Sequence, residues 1–314
     1  MTHYAYLDKQ IIPLEDAKIG IMTHALHYGT GCFDGIRGNW NAEEKQMYLF
    51  RVREHYERLH RSCHIMNIGL PYTINELYNL TLQLVEMNQY EEDVYVRPLA
   101  YKSSHVVGVR IHNLEDGFLM FVTPFGPYLD IEKGARCCIS SWRRVDDNMI
   151  PPRAKVTGLY VNSALAKTEA NENGFDEAIL LNQDGSVSEG SGENIFIVNQ
   201  GKLVTPPSGD NILVGITRDT IIEIAKKELE METIERSLDR SELYSADECF
   251  MTGTAAHVTP VVSIDRKDIG DGKMGKITRE LQKLYFDIIR GKNKKYANWV
   301  VPAYHPAGKT AKSH

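Results

Sequence analysis

The sequence PPRAKVTGLY, residues 151–160, places Lys155 after a stiff Pro-Pro segment and within an apolar stretch. A lysine in apolar surroundings loses its proton more easily than a solvated one and can then attack a carbonyl group. A second segment, SEGSGEN at residues 188–194, follows in a glycine-rich turn and carries Glu189. A carboxylate at that place can hold a positive charge on the molecule that the lysine captures. The two segments together therefore indicate a site that binds a carbonyl compound.

Composition limits the class of protein. A chain of 314 residues is long enough for a large core and usually forms two domains. Its 42% of hydrophobic and 25% of charged residues are ordinary for a globular protein. The net charge of −6 argues against a nucleic-acid partner, because neutralising phosphates needs a basic face. No apolar run reaches the length of a membrane span, so we expect no membrane partner.

The N-terminus and the cysteines indicate the compartment. The first eight residues, MTHYAYLD, have no charged segment followed by an apolar core, so we expect no signal peptide and a cytoplasmic protein. The cysteines are odd in number and scattered, which makes a poor disulfide framework. We expect free thiols at all of them, namely Cys32, Cys63, Cys137, Cys138 and Cys249.

The pattern of elements predicts an α+β fold with a small α+β domain over residues 1–122. Two short strands at 4–7 and 10–13 flank Asp8-Lys9 as a hairpin would. Apolar residues from Val52 to Met66 recur at spacings of three and four, which predicts a helix. Thr73 and Glu76 form a capping box that opens a second helix. Further strands are expected around residues 94–99 and 118–122.

A larger domain is expected over residues 136–304, after a linker rich in Pro and Gly at 123–135. It should contain a helix from about Gly158 to Asn173 and a helix capped by Thr217. Short strands are expected at 136–141, 177–181, 194–198 and 248–252. The small and polar residues 305–314 are expected to form a flexible tail.

Two segments have the properties of phosphate-binding turns. In LVGITRD, residues 213–219, a glycine precedes a helix start, where backbone N–H groups and the helix dipole attract an anion. In TGTAA, residues 252–256, small residues follow a strand and allow close backbone approach. Arg58, beside the apolar stripe of its helix, could also reach an anion. Each of the two segments is equally compatible with a plain turn, and Arg58 with a solvated helix arginine. Combined with a reactive lysine, they favour pyridoxal phosphate as cofactor.

Other chemistries have weaker support. The segment 29–35, GTGCFDG, has the wrong spacing for a dinucleotide fingerprint. His60, Cys63 and His64 share one helical face, but Cys63 lies on the apolar stripe, so we expect no metal site. Motifs of serine hydrolases, zinc proteases and P-loop enzymes are absent from the sequence.

Several ordered motifs resemble those of the branched-chain amino acid aminotransferases, which belong to the fold-type IV pyridoxal phosphate enzymes. The resemblance extends from about residue 5 to residue 304. The matching motifs are HALHYGT (24–30), FDGIR (33–37), EHYERL (54–59), YVRPL (95–99), SEG (188–190), GEN (192–194), GITRD (215–219) and GTAA (253–256), with Lys155 and Tyr160. The resemblance implies a two-domain fold like that of D-amino acid aminotransferase, in which the larger domain contains a mixed, barrel-like sheet.

The resemblance also implies roles for individual residues in cofactor binding. Lys155 is expected to bind the cofactor covalently and to carry a proton, Tyr160 to contact the phenolic oxygen, and Glu189 to pair with the ring nitrogen. The remaining cofactor residues implied by the resemblance are Arg58, Leu213, Ile216, Thr217 and Thr254.

For substrates, the resemblance implies transamination between L-leucine, L-isoleucine or L-valine and 2-oxoglutarate by a ping-pong mechanism. Aromatic side chains would form an apolar pocket, and Arg97 would help to accept the distal carboxylate of glutamate. The implied substrate residues are Tyr28, Phe33, Tyr95, Arg97, Val109, Arg110, Tyr128, Thr254 and Ala255. The resemblance further implies a homodimer, in which Val109 or Arg110 of one chain reaches the pocket of the other.

Three positions depart from the pattern of the family. Arg110 follows VVGV where members usually have a loop ending in Gly-Val-Asn, Asp34 replaces the commoner Glu, and Phe125 replaces a Trp found in many bacterial members. An extra cation at Arg110 could broaden the substrates toward D-amino acids or (R)-amines, although a solvent-facing arginine explains it equally well. Two alternatives share the fold, a D-amino acid or (R)-amine aminotransferase and an aminodeoxychorismate lyase. A non-enzymatic carrier of pyridoxal phosphate is an alternative of a different class.

Overall fold

A computed structural model describes residues 2–305 of the chain. The first part contains β1 (Tyr4–Leu7), β2 (Gln10–Pro13), α1 (His24–Tyr28), β3 (Gly31–Phe33), β4 (Ile36–Asn41), β5 (Gln46–Phe50), α2 (Val52–Ile65), α3 (Ile74–Asn88), β6 (Val94–Lys102) and β7 (Asp116–Pro124). The rest contains β8 (Ala135–Arg143), α4 (Tyr160–Glu172), β9 (Glu177–Leu181), β10 (Val187–Gly190), β11 (Asn194–Asn199), β12 (Lys202–Thr205), α5 (Ile216–Glu228), β13 (Thr233–Glu235), α6 (Arg240–Tyr244), β14 (Glu248–Gly253), β15 (His257–Ile264), β16 (Lys267–Asp268), α7 (Lys276–Ile289) and β17 (Val300–Pro302). Short 3-10 turns occur at Leu14–Asp16, Thr157–Leu159 and Lys294–Trp299.

The chain divides into two compact units. The first unit takes its described residues from Met1–Gly126, Val156–Gly158 and Asp287–His314. The second consists of Pro127–Lys155 and Leu159–Phe286. The chain first passes from one unit to the other after Gly126, inside the predicted linker 123–135.

The end of the chain differs from the predicted domain limits. Residues 136–304 were expected to belong to one large domain, whereas β17 pairs with β5 of the first unit, with Val300 opposite Phe50. Such a pairing, 250 residues apart in the chain, leaves no local signal in the sequence. The predicted tail lies outside the described residues except for His305.

The first unit is built on an eight-stranded sheet in the order β17-β5-β4-β6-β7-β1-β2, with β3 also paired to β6. Helix α2 buries the predicted apolar stripe, including Val52, Tyr56, Leu59 and Cys63. Helix α3 opens with the predicted capping box: Glu76 N–H donates to Thr73 Oγ1 at 3.2 Å, and Thr73 N–H donates to the Glu76 carboxylate at 2.7 Å.

The second unit is built on a nine-stranded sheet in the order β10-β9-β8-β15-β14-β11-β12-β13, with β16 paired to β15. Strand β10 is first in this order and β11 is sixth, yet only residues 191–193 connect them. Five strand spacings would extend about 24 Å in a flat sheet, whereas four Cα steps reach about 14 Å at most. The sheet therefore curls on itself, which confirms the predicted mixed, barrel-like sheet and the α+β class.

Helix α4 follows the Thr157–Leu159 turn and ends at the predicted place, with Gly174 in the left-handed region at φ +79°. Small residues Ala166 and Ala170 of α4 pack on Ala178 and Leu180 of β9, so the helix lies close to the sheet. Helix α5 begins at Ile216 with Gly215 as its N-cap and no side-chain cap. The expectation that Thr217 caps this helix was therefore wrong, because Thr217 already lies in its first turn.

The capping box of α3 can be tested by substitution. Thr73→Ala removes the side-chain acceptor of the Glu76 N–H, so we expect the free energy of unfolding to fall by about 1 kcal/mol. Chemical denaturation measures this loss, and Thr73→Ser, which keeps the hydroxyl, should stay within about 0.5 kcal/mol of the parent. Equal losses in both variants would contradict a capping role.

Candidate active site

Lys155 and Tyr160 lie on either side of the Thr157–Leu159 turn and contact each other. Lys155 Nζ donates a hydrogen bond to Tyr160 Oη at 2.5 Å, and it lies 5.1 Å from the centroid of the tyrosine ring. Both side chains are half-buried. The sequence achieves this contact by turning the chain between the lysine and the first residue of α4, which returns position 160 to the side of position 155. The result is an amine held beside a phenol.

Glu189 is a buried carboxylate of the second unit, only 5% exposed, and it has three partners. Arg144 Nη2 pairs with its Oε1 at 2.6 Å. Asn194 Nδ2 and the backbone N–H of Leu213 both donate to its Oε2 at 3.0 Å. A carboxylate with a buried guanidinium and two further donors is held in its charged form. Glu189 is thus a fixed negative charge in the interior.

Arg144 is itself positioned by the backbone around it. Its N–H donates to Leu181 O at 2.9 Å, and its guanidinium Nε donates to Asn211 O at 3.2 Å. The residue is 3% exposed and follows the last residue of β8. The guanidinium therefore reaches Glu189 from a fixed direction.

The start of helix α5 lies directly beyond Leu213. Asn194 Nδ2 also donates to Leu213 O at 2.8 Å, and Asn194 Oδ1 occupies the place that a Cβ on Gly215 would need. Only glycine therefore fits at this N-cap. Gly215 gives no side-chain cap hydrogen bond, so the backbone N–H groups of the first turn, including those of Ile216 and Thr217, lie at the positive end of the helix dipole, with Asp219 as the acidic residue of that turn.

Thr254 and Ala255 lie in the tight connection between β14 and β15, where Gly253 pairs with His257. Both residues are half-buried. A Cβ on Gly253 would lie 3.4 Å from Gly192 O, so this connection runs beside the turn that carries the SEG and GEN motifs. The phosphate-binding role expected of this segment stays a prediction.

Two further acidic side chains, Glu177 and Glu193, lie near Glu189. Lys167 Nζ pairs with Glu177 Oε2 at 2.5 Å and lies 4.9 Å from the centroid of the Tyr128 ring. Burial raises the pKa of the Tyr128 hydroxyl well above its ordinary value, and the charges of Glu193 and Glu177 add to this shift. Tyr128, one of the expected substrate residues, thus stays a neutral phenol.

In the first unit, Asp34 holds the expected phosphate ligand Arg58. Arg58 Nε and Nη2 donate to the two carboxylate oxygens of Asp34 at 2.9 and 2.7 Å, and His55 Nδ1 lies 2.7 Å from Oδ1. Burial alone would raise the pKa of Asp34, but Arg58 and His55 hold that pKa well below its usual range. The guanidinium is therefore fixed in orientation, and most of its charge is balanced.

Aromatic side chains of the first unit cluster around Arg97. Its guanidinium lies 4.4 Å from the centroid of the Phe33 ring and 4.9 Å from that of Tyr95, and Nη2 donates to Tyr95 Oη at 3.3 Å. Phe125, which stands where many bacterial members of the family have Trp, packs on Tyr95 with ring centroids 5.2 Å apart. The structure thus brings together Phe33, Tyr95 and Arg97, three of the expected substrate residues.

The loop that carries Val109 and Arg110 is attached to helix α1. The N–H of Gly108 donates to Tyr28 Oη at 3.0 Å, and His24 Nε2 lies 2.7 Å from Gly108 O. Beyond this anchor, Val109 is 82% exposed and Arg110 is also exposed.

The expected site residues thus fall into two sets, each assembled within its own unit. The first unit holds Tyr28, Phe33, Arg58, Tyr95, Arg97, Val109 and Arg110; the second holds Tyr128, Lys155, Tyr160, Glu189, Leu213, Ile216, Thr217, Thr254 and Ala255.

Sequence reasoning gave no role to two residues that hold the charged groups, Arg144 and His55. Arg144 lies 45 positions from Glu189, and the pair Arg143-Arg144 at the end of a strand has the pattern of a surface patch. His55 lies within the motif EHYERL, one helical turn before Arg58, and this spacing was the signal that the two side chains could share a partner.

Several other features bear on function. Among residues 2–305, no group of three or more His, Cys, Asp or Glu side chains could hold a metal ion. No helix within the same residues has both the length and the apolar character that crossing a bilayer requires. All five cysteines are free and buried.

Comparison with known proteins agrees with this arrangement. Residues 31–264 match the model of the family described as amino-transferase class IV. The chain is 50% identical over 301 residues to a probable branched-chain-amino-acid aminotransferase of Aquifex aeolicus, covering 96% of this chain and 97% of the relative.

Two solved structures are also similar. The branched-chain aminotransferase from Thermoproteus uzoniensis with norvaline has a TM-score of 0.92 at 44% identity, covering 97% of this chain and 100% of that one. The branched-chain amino acid aminotransferase from Thermobaculum terrenum in its PLP-form has a TM-score of 0.92 at 38% identity, covering 97% and 99%. A match of this extent, on a chain that places Lys155, Tyr160 and Glu189 as described, shows that the chain belongs to the class IV aminotransferase family.

Proposed function

We propose that this chain transfers the amino group of L-leucine, L-isoleucine or L-valine to 2-oxoglutarate, with pyridoxal 5'-phosphate as cofactor. The products are branched 2-oxo acids and L-glutamate. The observation that carries the proposal is the buried, three-fold bonded carboxylate of Glu189 in the unit that also holds the Lys155–Tyr160 pair. The names of the similar proteins, with norvaline in one solved structure and PLP in another, support the same chemistry.

The residues of the second unit fit pyridoxal phosphate. A fixed anion, Glu189, suits a protonated ring nitrogen, and the uncapped start of α5 suits a phosphate group. Tyr160 offers a phenol and Lys155 an amine next to each other, which suits the phenolic oxygen and the aldehyde. The bound cofactor supplies an electron-withdrawing ring that stabilises the negative charge left when the substrate Cα–H bond breaks.

Each residue then has a distinct task. Glu189 keeps a proton on the ring nitrogen through its charge, and Arg144 and Asn194 keep its carboxylate in place. Lys155 Nζ takes up the proton of the substrate Cα, since a half-buried amine next to a phenol is a suitable general base. Tyr160 Oη accepts a hydrogen bond from Lys155 Nζ and so orients it.

The cluster around Arg97 in the first unit offers groups suited to two kinds of substrate side chain. Phe33 and Tyr95 are aromatic and only 6% and 8% exposed, an apolar setting that suits the branched side chains of leucine, isoleucine and valine. The planar guanidinium of Arg97 stacks on these rings and can still bind a carboxylate, which fits the side chain of glutamate.

We also place the reaction in the cytoplasm, because five buried free thiols suit a reducing compartment.

A spectral half-reaction tests the proposal directly. The holoprotein is mixed separately with L-leucine, D-alanine and an (R)-arylamine, and the absorbance of the bound cofactor is followed. We expect a rapid change with L-leucine only. Glu189→Gln should slow this change by roughly 100- to 1,000-fold, because a charged partner is lost at the reacting centre. A faster response to D-alanine or to the amine would favour the alternative substrates, and no response to any of them would favour a carrier.

The role of Lys155 has its own test. Borohydride reduction of the holoprotein followed by peptide mass mapping should place the cofactor on Lys155. Lys155→Ala should lose this adduct and slow the half-reaction by about 100-fold or more. Lys276→Ala, at an exposed lysine of α7, serves as the control and should behave like the parent. An adduct on any other lysine would overturn the assignment.

Arg110 is the specific departure that could widen the substrate range. Its exposure on a loop anchored at Gly108 leaves it free to meet an incoming carboxylate. If it does so, Arg110→Ala should lower kcat/KM for 2-oxoglutarate by about 10-fold, the loss of one charge-assisted hydrogen bond, and change that for leucine less. Steady-state kinetics with leucine, 2-oxoglutarate and an (R)-arylamine measures the ratios. Unchanged ratios would leave Arg110 as a solvent-facing residue.

We further propose that the protein is a homodimer, for which the first unit offers an apolar surface. Ile21, Leu26, Val107 and Val109 are 61–84% exposed. Their segments are connected, because His24 N–H donates to Ser104 O at 3.0 Å. Exposed apolar side chains in such number usually mark an interface.

Sedimentation velocity tests this surface. The parent should sediment as a dimer at micromolar concentration. Val107→Asp should weaken the dimer by about 100-fold or more, since burying an unpaired carboxylate costs about 3 kcal/mol. Ser208→Asp adds the same charge on an exposed loop of the second unit and should leave the dimer intact. A parent that is active as a monomer would refute the proposal.

A further inference from the structure

The second unit buries three glutamates, and two of them pair with a cation. Glu177, Glu189 and Glu193 are 0%, 5% and 3% exposed. Lys167 pairs with Glu177 at 2.5 Å, and Arg144 pairs with Glu189 at 2.6 Å. Across the described residues, Glu193 forms no ion pair, and the donor to its carboxylate is the backbone N–H of Gly192, at 3.1 Å.

Glu193 cannot easily turn away from this environment. A Cβ built on Gly190 would lie 2.7 Å from Glu193 Oε2, and one built on Gly253 would lie 3.6 Å from its Cγ. The contact at Gly190 is too short for a side chain there, so Glu193 fills a space that depends on glycine at position 190, whereas the distance at Gly253 is an ordinary contact. The N–H of Gly190 also donates to Glu193 O at 2.7 Å, which fixes the backbone of the turn.

The groups around Glu193 disfavour a third negative charge. Burial, together with the negative charges of Glu177 on β9 and Glu189 on β10, raises the pKa of Glu193 to about 8. The Gly192 N–H and Lys167 on α4 oppose it to a smaller extent. Two further titratable groups interact with Glu193: Tyr128, and Cys137 on β8. Their pKa values are raised well above the ordinary ones, so both groups stay neutral.

We propose that Glu193 carries a proton in the ligand-free protein and releases it to solvent when a protonated ring nitrogen binds beside Glu189. This inference rests on the proposed function. The ring nitrogen would bring a further positive charge beside Glu189, which offsets the negative charges that disfavour ionisation of Glu193. Only the O–H bond of Glu193 breaks, and its proton passes to the buffer. By linkage, the ionised Glu193 then strengthens the hold on the cationic ring, which makes it a positioning residue.

Calorimetry of ligand binding counts this proton. The full chain freed of cofactor is titrated at pH 7 with pyridoxamine 5'-phosphate, which forms no bond with Lys155, in two buffers of different ionisation enthalpy. The parent should release up to one proton more per bound ligand than Glu193→Gln. Glu172→Gln, which removes an exposed carboxylate at the end of α4, should match the parent. Equal proton counts in the parent and in Glu193→Gln would overturn the release step.

The pH dependence of thermal stability tests the first half of the inference without any ligand. A carboxyl whose pKa is raised on folding stabilises the protein most at low pH, and this contribution is lost as the pH rises from 4.5 to about 8. The Tm of the parent should therefore fall relative to that of Glu193→Gln across this window and stay parallel above it. A constant difference between pH 5 and pH 9 would show that Glu193 is ionised throughout.

The two measurements separate the possible failures. If pyridoxamine 5'-phosphate binds to none of the variants, the proposed function and the release step fail together, while the pH dependence of Tm still decides whether Glu193 holds a proton. Should Glu193→Gln fail to fold, Glu193→Asp takes its place: it keeps an acid with a shorter reach, and it should retain proton release with a shifted pH window. Loss of release in Glu193→Asp would overturn the inference.

Discussion

The second unit depends on keeping one carboxylate, that of Glu189, charged in the interior. An isolated buried carboxylate would be strongly destabilising, so its partners have to be in place for the fold to hold it. Arg144 follows β8, Asn194 begins β11, and Leu213 precedes α5. Satisfying this single group therefore fixes three separate parts of the chain around the curled sheet.

The same arrangement sets the start of helix α5. Asn194 divides its amide group between the Glu189 carboxylate and Leu213 O, and its oxygen fills the space beside Gly215. The position of the anion and the position of the helix N-terminus are thus coupled through one side chain. For a cofactor with a cationic ring and an anionic phosphate, such coupling means that the two recognition elements keep a constant separation.

Local signals in the sequence predicted much of the fold. The Thr73–Glu76 capping box and the end of α4 at Gly174 depend on residues within a few positions of each other, so that spacing alone reveals them. The lysine and the acidic turn were singled out from local motifs, and the phenol of Tyr160 from the family resemblance. Thr217 was wrongly taken as a cap, because the preference for a hydroxyl at the N-cap was applied where Asn194, distant in sequence, leaves room only for Gly215.

Long-range ion pairs were beyond the reach of the sequence. The partners of Arg58 and Glu189 lie 24 and 45 residues away, and nothing in the local pattern distinguishes a buried pair from two surface charges. The pairing of β17 with β5 is hidden for the same reason. Such contacts depend on which residues are excluded from water, and that is a property of the assembled sheet.

These pairs also determine how each unit can attract ligands. Arg58 is largely neutralised by Asp34, and Arg144 by Glu189, before any ligand binds. A neutral pair exerts a weak field at a distance but offers well-oriented donors at contact, so these arginines favour shape and hydrogen-bond geometry over bulk charge. Attraction for an anion then has to come from a group whose field is not cancelled. In the second unit the N-terminus of α5 offers backbone N–H groups at the positive end of a helix dipole, and its N-cap is a glycine that gives no side-chain hydrogen bond, although Asp219 in the first turn offsets part of this field.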